Sequence, residues 1–286
     1  MIMLPRAILF DLDDTLLQAY GRPDAAWLAV CEEFAPELLP LSPAQVAEAI
    51  AAFARKFWAD ADRHRVWRLQ LGAARREIVA GSLALLAQAG RAVPSTNVAR
   101  RLADRFSAYR DEQTRVFPDA HQVVDALKAR GVLLALVTNG AGEAQRAKIE
   151  RFDLMRRFDH IQIEGEQGFG KPDERAYIHA MRGLGVEAPE TWMVGDNLEW
   201  EIAAPQRLGI YAIWCDTTGE GLPPQTTIRP DRIIRTLSEL LSPTRASSAG
   251  FDLEVLGADT AKSRGAGDDE GRTAFMEKRK PVFTGK

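Results

Sequence analysis

The sequence predicts an α/β protein in which a parallel sheet, with helices on both faces, carries an inserted all-helical domain. Two observations lead to this fold class. From Val116 onward, short runs that are apolar on both faces alternate with helical patterns, which is typical of a parallel sheet wrapped by helices. Between about Tyr20 and Thr114 the pattern is helical throughout, and no segment there resembles a strand.

The predicted strands are short apolar segments that stop at polar or turn-forming residues. They lie at residues 6–11, 132–137, 160–163, 191–194 and 210–214, with a last short strand near 232–234. The helices between them are predicted at about 119–130, 142–151, 173–184 and 198–208. Pro205 lies inside the last of these helices and should kink it, because proline has no backbone N–H to donate.

The changes in residue pattern along the chain predict three regions. We expect residues 1–19 and 115–241 to form the core that contains the sheet, and residues 20–114 to form the helical domain. Phe53, Phe57 and Trp58 are at helical spacing and are better explained as the core of that domain than as ligand contacts. Residues 242–286 have little apolar surface to bury, so we expect most of this tail to be disordered.

Composition favours a globular protein that acts on a small molecule. The 286 residues are 46% hydrophobic and 27% charged, with a formal net charge of −3, so no overall positive field attracts nucleic acid or an anionic membrane. Cys31 and Cys215 are far apart and have no metal-ligand spacing, which fits a reducing compartment. The apolar start is interrupted by Pro5 and Arg6 and shows no signal-peptide cleavage site, so we expect a cytoplasmic protein.

Polar residues follow four of the predicted strands at their carboxyl ends, where open parallel sheets bind ligands. Asp11 and Asp13 follow the first strand, Thr138 and Asn139 the second, Lys171 the third and Asp196 the fourth. Hard carboxylate and carbonyl oxygens suit Mg²⁺, which Asp11, Asp196 and the Asp13 carbonyl could bind. A lysine and a hydroxyl suit a transferring phosphoryl group, and aspartate is an established phosphoryl acceptor. The set therefore indicates phosphoryl transfer.

These residues belong to four ordered motifs that resemble those of the haloacid dehalogenase superfamily over about residues 6–240. The motifs are Asp11-Leu12-Asp13-Asp14-Thr15, Val137-Thr138-Asn139, Gly170-Lys171-Pro172-Asp173 and Val194-Gly195-Asp196. The resemblance implies a Rossmann-like core, a helical C1-type cap formed by the insertion, and Mg²⁺ as cofactor.

The resemblance also implies a role for each matching residue. Asp11 is similar to the nucleophile and to a metal ligand. Asp13 is similar to the general acid/base, whose carbonyl also faces the metal. Thr138, with Asn139 beside it, is similar to the phosphate-binding hydroxyl, Lys171 to the charge-stabilising lysine, and Asp196 to the second metal carboxylate.

Further residues near the fourth motif have alternative roles. The resemblance also implies a supporting acid just beyond Asp196, where either Glu199 or Glu201 could serve. Asn197 and Glu201 are candidates for supporting the metal from behind its ligands, while Asn197 is also a good N-cap for the next helix. A basic cluster in the helical block is better explained as a solvated helix face than as an anion site; its members are Arg63, His64, Arg65, Arg68, Arg75 and Arg76.

The favoured function is a phosphatase that hydrolyses a small phosphorylated metabolite, without nucleic-acid or membrane partners. Asp13 favours phosphate esters over carbon–halogen bonds, because dehalogenation has no leaving alcohol to protonate. Lys56 is the only lysine in the helical block, and nothing marks it as a buried Schiff-base former. A phosphomutase and, less favoured, a non-catalytic phosphate-binding module stay open as alternatives.

Overall fold

The fold is described from a computed structural model, which describes residues 4–19, 21 and 23–242. Its strands are β1 (Ala7–Phe10), β2 (Leu17–Gln18), β3 (Arg115–Val116), β4 (Leu133–Thr138), β5 (His160–Ile163), β6 (Thr191–Gly195), β7 (Tyr211–Cys215) and β8 (Arg232–Ile234). Six of them form one parallel sheet in the order β5-β4-β1-β6-β7-β8. The predicted α/β class is confirmed, including the short last strand.

Both faces of the sheet are buried, as the apolar runs predict. Ile8 and Phe10 of β1 pack into a core on one face, together with residues of a helix at Ala120–Ala129 (α7). Ala7 and Leu9 pack on the other face, against a helix at Glu174–Leu184 (α10). Since β1 lies in the middle of the sheet, the residue that follows it is placed at the centre of the carboxyl edge.

The described residues between β2 and β3 form helices and the turns that connect them, with no strand among them. The helices are α1 (Pro23–Glu33), α2 (Ala35–Leu38), α3 (Pro43–Ala59), α4 (Ala61–Trp67), α5 (Leu71–Gln88) and α6 (Thr96–Gln113). They enclose a separate hydrophobic core in which Phe57 is buried and Phe53 and Trp58 are partly buried, in agreement with the sequence analysis. The described residues form one compact unit, so the exact division between core and cap stays a proposal.

The remaining helices are α8 (Gly142–Arg151), α9 (Glu164–Gln167) and α11 (Ala204–Arg207). The helix predicted at 198–208 is a π-helical turn at Leu198–Ala203 followed by α11, with Pro205 near the junction. Proline removes a backbone donor there, so the expected irregularity is present.

The antiparallel ribbon of β2 and β3, which flanks the helical insertion, was not predicted. The predicted disorder of 242–286 falls, apart from Ser242, outside the described residues. Within the described segments, no helix has both the length and the apolar composition needed to cross a membrane.

Candidate active site

Asp11 and Lys171 form a buried ion pair at the centre of the carboxyl edge of the sheet. The Asp11 backbone N–H donates to the Val194 carbonyl (2.9 Å), which extends the pairing of β1 with β6. The Lys171 Nζ donates to Asp11 Oδ1 at 2.5 Å and also lies 2.8 Å from Glu201 Oε1. Lys171 is fully buried, and Asp11 is 7% exposed. The fold therefore places Lys171 of the third motif against Asp11 of the first motif.

The charge of Lys171 is maintained by its two acidic partners. Burial lowers its pKa, but the neighbouring Asp11 and Glu201 carboxylates outweigh burial and leave the pKa above its usual value. Burial raises the pKa of Asp11, and Lys171 only partly offsets this rise. Lys171 is thus a fixed cation placed against the candidate nucleophile.

Asn139 positions the loop that carries Lys171. Its amide nitrogen donates to the Lys171 carbonyl (2.7 Å), and its amide oxygen accepts the Lys171 backbone N–H (2.9 Å). Gly170 permits this approach, because a Cβ there would lie 2.5 Å from Asn139 Oδ1. Both polar atoms of the Asn139 side chain therefore bond to the backbone of Lys171. Any contact of Asn139 with phosphate is thus assigned to its backbone N–H.

Glu201, and not Glu199, is the acid that lies in the site. Glu201 is 1% exposed, and its Oε2 accepts the Asn197 N–H at 2.8 Å. Gly195 makes room for it, because a Cβ there would meet Glu201 Cγ at 2.1 Å. Glu199 is exposed and pairs with Arg207. The Asn197 side-chain oxygen caps the following turn through the N–H groups of residues 199 and 200, so it takes the capping role that the sequence allowed.

The acids of the site repel one another. Burial and the nearby carboxylates of Glu201, Asp11 and Asp14 together raise the pKa of Asp196 to about 9, against a smaller opposing effect of Lys171. Burial likewise raises the pKa of Glu201 to about 7 against the opposing effect of Lys171. This excess of negative charge is the environment that a bound cation stabilises.

The donor set fits Mg²⁺. In the described part of the chain, no three acidic, histidine or cysteine side chains converge into a ready metal cage. Mg²⁺ does not require one, since it commonly takes one or two carboxylates and completes its octahedron with water and phosphate oxygens. Asp11, Asp196 and the Asp13 carbonyl are a protein share of that kind.

Asp13 is contacted by two side chains of α8 that the sequence analysis did not single out, and one of them also contacts Thr138. Gln145 Nε2 donates to Thr138 Oγ1 (2.5 Å), and it lies 3.0 Å from Asp13 Oδ2. Lys148 Nζ lies 2.8 Å from both carboxylate oxygens of Asp13. The available signal was a pair of polar residues three apart on one helix face, directly after the second motif.

A cap residue closes one side of the site. Arg68, at the end of α4, donates through Nε to Glu164 Oε1 (3.0 Å), and its guanidinium lies over the Trp200 ring. The side chains of Arg68 and Glu164 are only 11% and 6% exposed. Glu164 Oε2 accepts the Gly140 N–H beside the second motif (3.0 Å). The interpretation of the whole basic cluster as a solvated face is therefore wrong for Arg68, which the core desolvates.

His64 is also covered by the core. Its ring packs against Trp58 and Trp200, with centroids 5.3 and 5.4 Å away. Burial lowers its pKa, and Arg68 lowers it further. Arg63, Arg65 and Arg76 are exposed, as a solvated face requires.

A family model and several curated relatives match part of this chain. The model of the haloacid dehalogenase-like hydrolases matches residues 5–209. A phosphoserine phosphatase of Thermus thermophilus is 36% identical over 127 residues, which cover 44% of this chain and 49% of that protein. The chain spans between 42% and 64% of the length of this and two further curated relatives.

Solved structures share the fold over most of the chain. A 2-haloacid dehalogenase from Pseudomonas syringae pv. Tomato is 25% identical with a TM-score of 0.54, covering 84% of this chain and 97% of that one. The HAD-hydrolase YfnB from Bacillus subtilis, solved bound to magnesium, is 24% identical with a TM-score of 0.59, covering 83% and 97%. The likeness to YfnB concerns the fold alone.

Proposed function

Since this chain belongs to the haloacid dehalogenase-like hydrolases, we propose that it is a magnesium-dependent phosphatase that hydrolyses a small phosphomonoester through a phosphoaspartate at Asp11. The observation that carries this proposal is the buried Asp11–Lys171 pair with a second carboxylate, Asp13, two residues along the chain. The pair supplies a nucleophile and a fixed cation for phosphate, and Asp13 supplies an acid for a leaving alcohol.

The first half of the reaction transfers the phosphoryl group to Asp11. Lys171 occupies Oδ1 of Asp11, so Oδ2 forms the new bond to phosphorus while the bond to the leaving oxygen breaks. Asp13 donates a proton to that oxygen, and the alcohol departs. Lys171 and the Thr138 hydroxyl stabilise the charge on the remaining phosphoryl oxygens.

The second half returns Asp11 to its starting state. Asp13, now ionised, takes a proton from water, whose oxygen bonds to phosphorus as the bond to Asp11 breaks. Asp11, Asp196 and the Asp13 carbonyl would hold Mg²⁺, with Glu201 supporting the site from behind. When bound, the ion neutralises the charge between the carboxylates and the phosphate.

Asp13 favours phosphate esters as the substrate class over carbon–halogen bonds. Curated relatives include phosphatases named for phosphoserine, glyceraldehyde 3-phosphate and N-acylneuraminate 9-phosphate, which supports a small phosphorylated metabolite. Lys56 is exposed on α3, so it lacks the burial that favours a Schiff-base lysine. A phosphomutase shares the first half-reaction and differs only in the acceptor of the phosphoryl group.

The test is release of inorganic phosphate and 4-nitrophenol from 4-nitrophenyl phosphate, with Mg²⁺ or with a chelator. We expect equal amounts of both products, dependence on Mg²⁺, and a loss of at least about a thousandfold in Asp11→Asn, because a nucleophile is removed. Asp24→Asn is the matched control, since that side chain is 69% exposed on α1.

Turnover that survives Asp11→Asn would contradict the nucleophile. No turnover of any member of a broad phosphomonoester panel, in folded protein, would favour the binding module. Phosphate transfer to a phosphosugar without release of inorganic phosphate would favour the mutase.

A further inference from the structure

The side chain of Asp13 is held by α8, an element that carries none of the four motifs. Gln145 and Lys148 are one helical turn apart on α8 and point to the same carboxylate. Lys148 Nζ lies 2.8 Å from each oxygen of Asp13. The lysine and aspartate side chains are only 18% and 12% exposed. A pair of this geometry fixes the orientation of the carboxylate better than a solvated ion pair does.

Gln145 connects that carboxylate to the phosphate side of the site. Its Nε2 is within hydrogen-bond distance of Thr138 Oγ1 (2.5 Å), the Asn139 carbonyl (2.9 Å) and Asp13 Oδ2 (3.0 Å). An amide nitrogen has two hydrogens, so the three acceptors share two donors. Gln145 is 3% exposed, and little water competes for these bonds. The positions of the Thr138 hydroxyl and the Asp13 carboxylate are thus set by one side chain.

Lys148 also bears on the charge that the reaction creates. Once Asp13 has given its proton to the leaving oxygen, a carboxylate remains beside the transferred phosphoryl group and near Asp11. The Lys148 ammonium, already in contact with both oxygens, offsets that charge without rearrangement. The benefit is greatest for a leaving group that departs only with its proton, and least for one that is stable as an anion.

We propose that Lys148 and Gln145 are positioning residues for Asp13: Lys148 orients and charge-balances the general acid, and Gln145 ties it to the phosphate-binding hydroxyl. The inference rests on the proposed phosphatase function. It adds two residues outside the motifs, and it predicts a dependence on the leaving group that a purely structural role of α8 does not produce.

The test is kcat/KM for a series of substituted phenyl phosphates, from phenyl phosphate to 2,4-dinitrophenyl phosphate. In Lys148→Met we expect a fall of about tenfold to a hundredfold for phenyl phosphate and less than about threefold for the dinitrophenyl ester, because only the former requires proton transfer. Lys148→Arg should restore a large part of the loss. Gln145→Leu, which keeps the size but removes the donors, should show the same selectivity.

The controls distinguish the positioning role of Lys148 and Gln145 from the proposed phosphatase function. Lys56→Met removes a lysine that is exposed on α3 and should match wild type across the series. Thermal unfolding shows whether each variant is folded, and Lys148→Arg and Gln145→Leu provide the test if Lys148→Met is not. An equal loss for every ester, or no loss, would overturn the positioning role while wild-type turnover upholds the phosphatase. Wild-type protein that is inactive on the whole series would overturn both.

Discussion

Lys171 is the residue on which the charge balance of the site depends. It is fully buried and contacts the carboxylates of both Asp11 and Glu201. A buried lysine needs such partners, because desolvation of an unpaired ammonium costs several kcal/mol. We therefore expect Glu201 to keep Lys171 protonated and to orient its ammonium group toward Asp11.

This arrangement predicts different effects for the two neighbouring glutamates. Glu201→Gln should lower kcat/KM for 4-nitrophenyl phosphate by about tenfold or more. Lys171 would lose one charged partner, and its ammonium group would be oriented less firmly toward Asp11. Glu199→Gln, the matched control, should change kcat/KM by less than about twofold, since Glu199 is exposed and pairs with the exposed Arg207. Equal effects of the two substitutions in steady-state assays would refute the assignment.

The raised pKa of Asp196 predicts that the free energy of unfolding depends on pH. Its pKa in the folded protein is about 9, against a usual value of 3.8, because burial and the surrounding carboxylates disfavour its charge. Between about pH 4 and pH 9 the folded protein thus binds more protons than the unfolded chain, so the free energy of unfolding falls as the pH rises through this window. Mg²⁺ should offset this loss of stability, because it binds the ionised carboxylate of the folded protein.

Asp196→Asn tests this, because the amide does not ionise. In chelator at pH 8 we expect the variant to be more stable than wild type by at least about 1 kcal/mol, because folding of wild type at this pH must protonate the Asp196 carboxyl, whereas the amide takes up no proton. The difference should shrink toward pH 5, and Mg²⁺ should raise the unfolding temperature of wild type more than that of the variant. A stability difference that is the same at pH 5 and pH 8 would count against the raised pKa.

At the residue scale, the sequence was informative wherever chemistry follows a strand. The carboxyl ends of parallel strands share one edge, so Asp11, Thr138, Lys171 and Asp196 could be brought together without a structure. Gln145 and Lys148 could not, because their contacts depend on how α8 packs over the sheet.

At the element scale, the longer helices and the strands of the parallel sheet were predicted well, and among the strands only the shortest were missed. Helices α7, α8 and α10 are ten or eleven residues long, and the strands of the parallel sheet follow from apolar runs that end at polar or turn-forming residues. The β2–β3 ribbon has two residues in each strand, too few to show a period. It forms because Leu16 and Leu17 both donate to the Leu12 carbonyl, which turns the chain back after the first motif.

The segment after Asp196 shows the same limit. Apolar spacing predicts one helix, yet Pro205 removes a donor and the preceding turn widens to a π-helix. This turn carries both Glu201, directed inward, and Trp200, which meets the cap residues His64 and Arg68. One irregular element therefore connects the candidate metal site to the cap.

At the scale of the whole molecule, the cap was predicted as an insertion, but its contact with the core was not. Arg68 reaches from α4 to Glu164, and Glu164 in turn accepts the Gly140 N–H beside the phosphate-binding motif. Such a contact joins residues about a hundred positions apart, and local patterns carry no information about it. The result is a site whose cap side is held in place by a buried ion pair.

The central claim is that Asp11 accepts the phosphoryl group, and rapid acid quench of the enzyme during turnover of 4-nitrophenyl phosphate with Mg²⁺ tests it most directly. Mass spectrometry of the digested protein should find one phosphoryl group on the peptide that contains Asp11, and none in Asp11→Asn. Borohydride added at the quench should reduce the same residue, since an acyl phosphate is reducible and a carboxylate is not. Phosphate on another residue, or turnover in which Asp11 is never modified, would contradict the account.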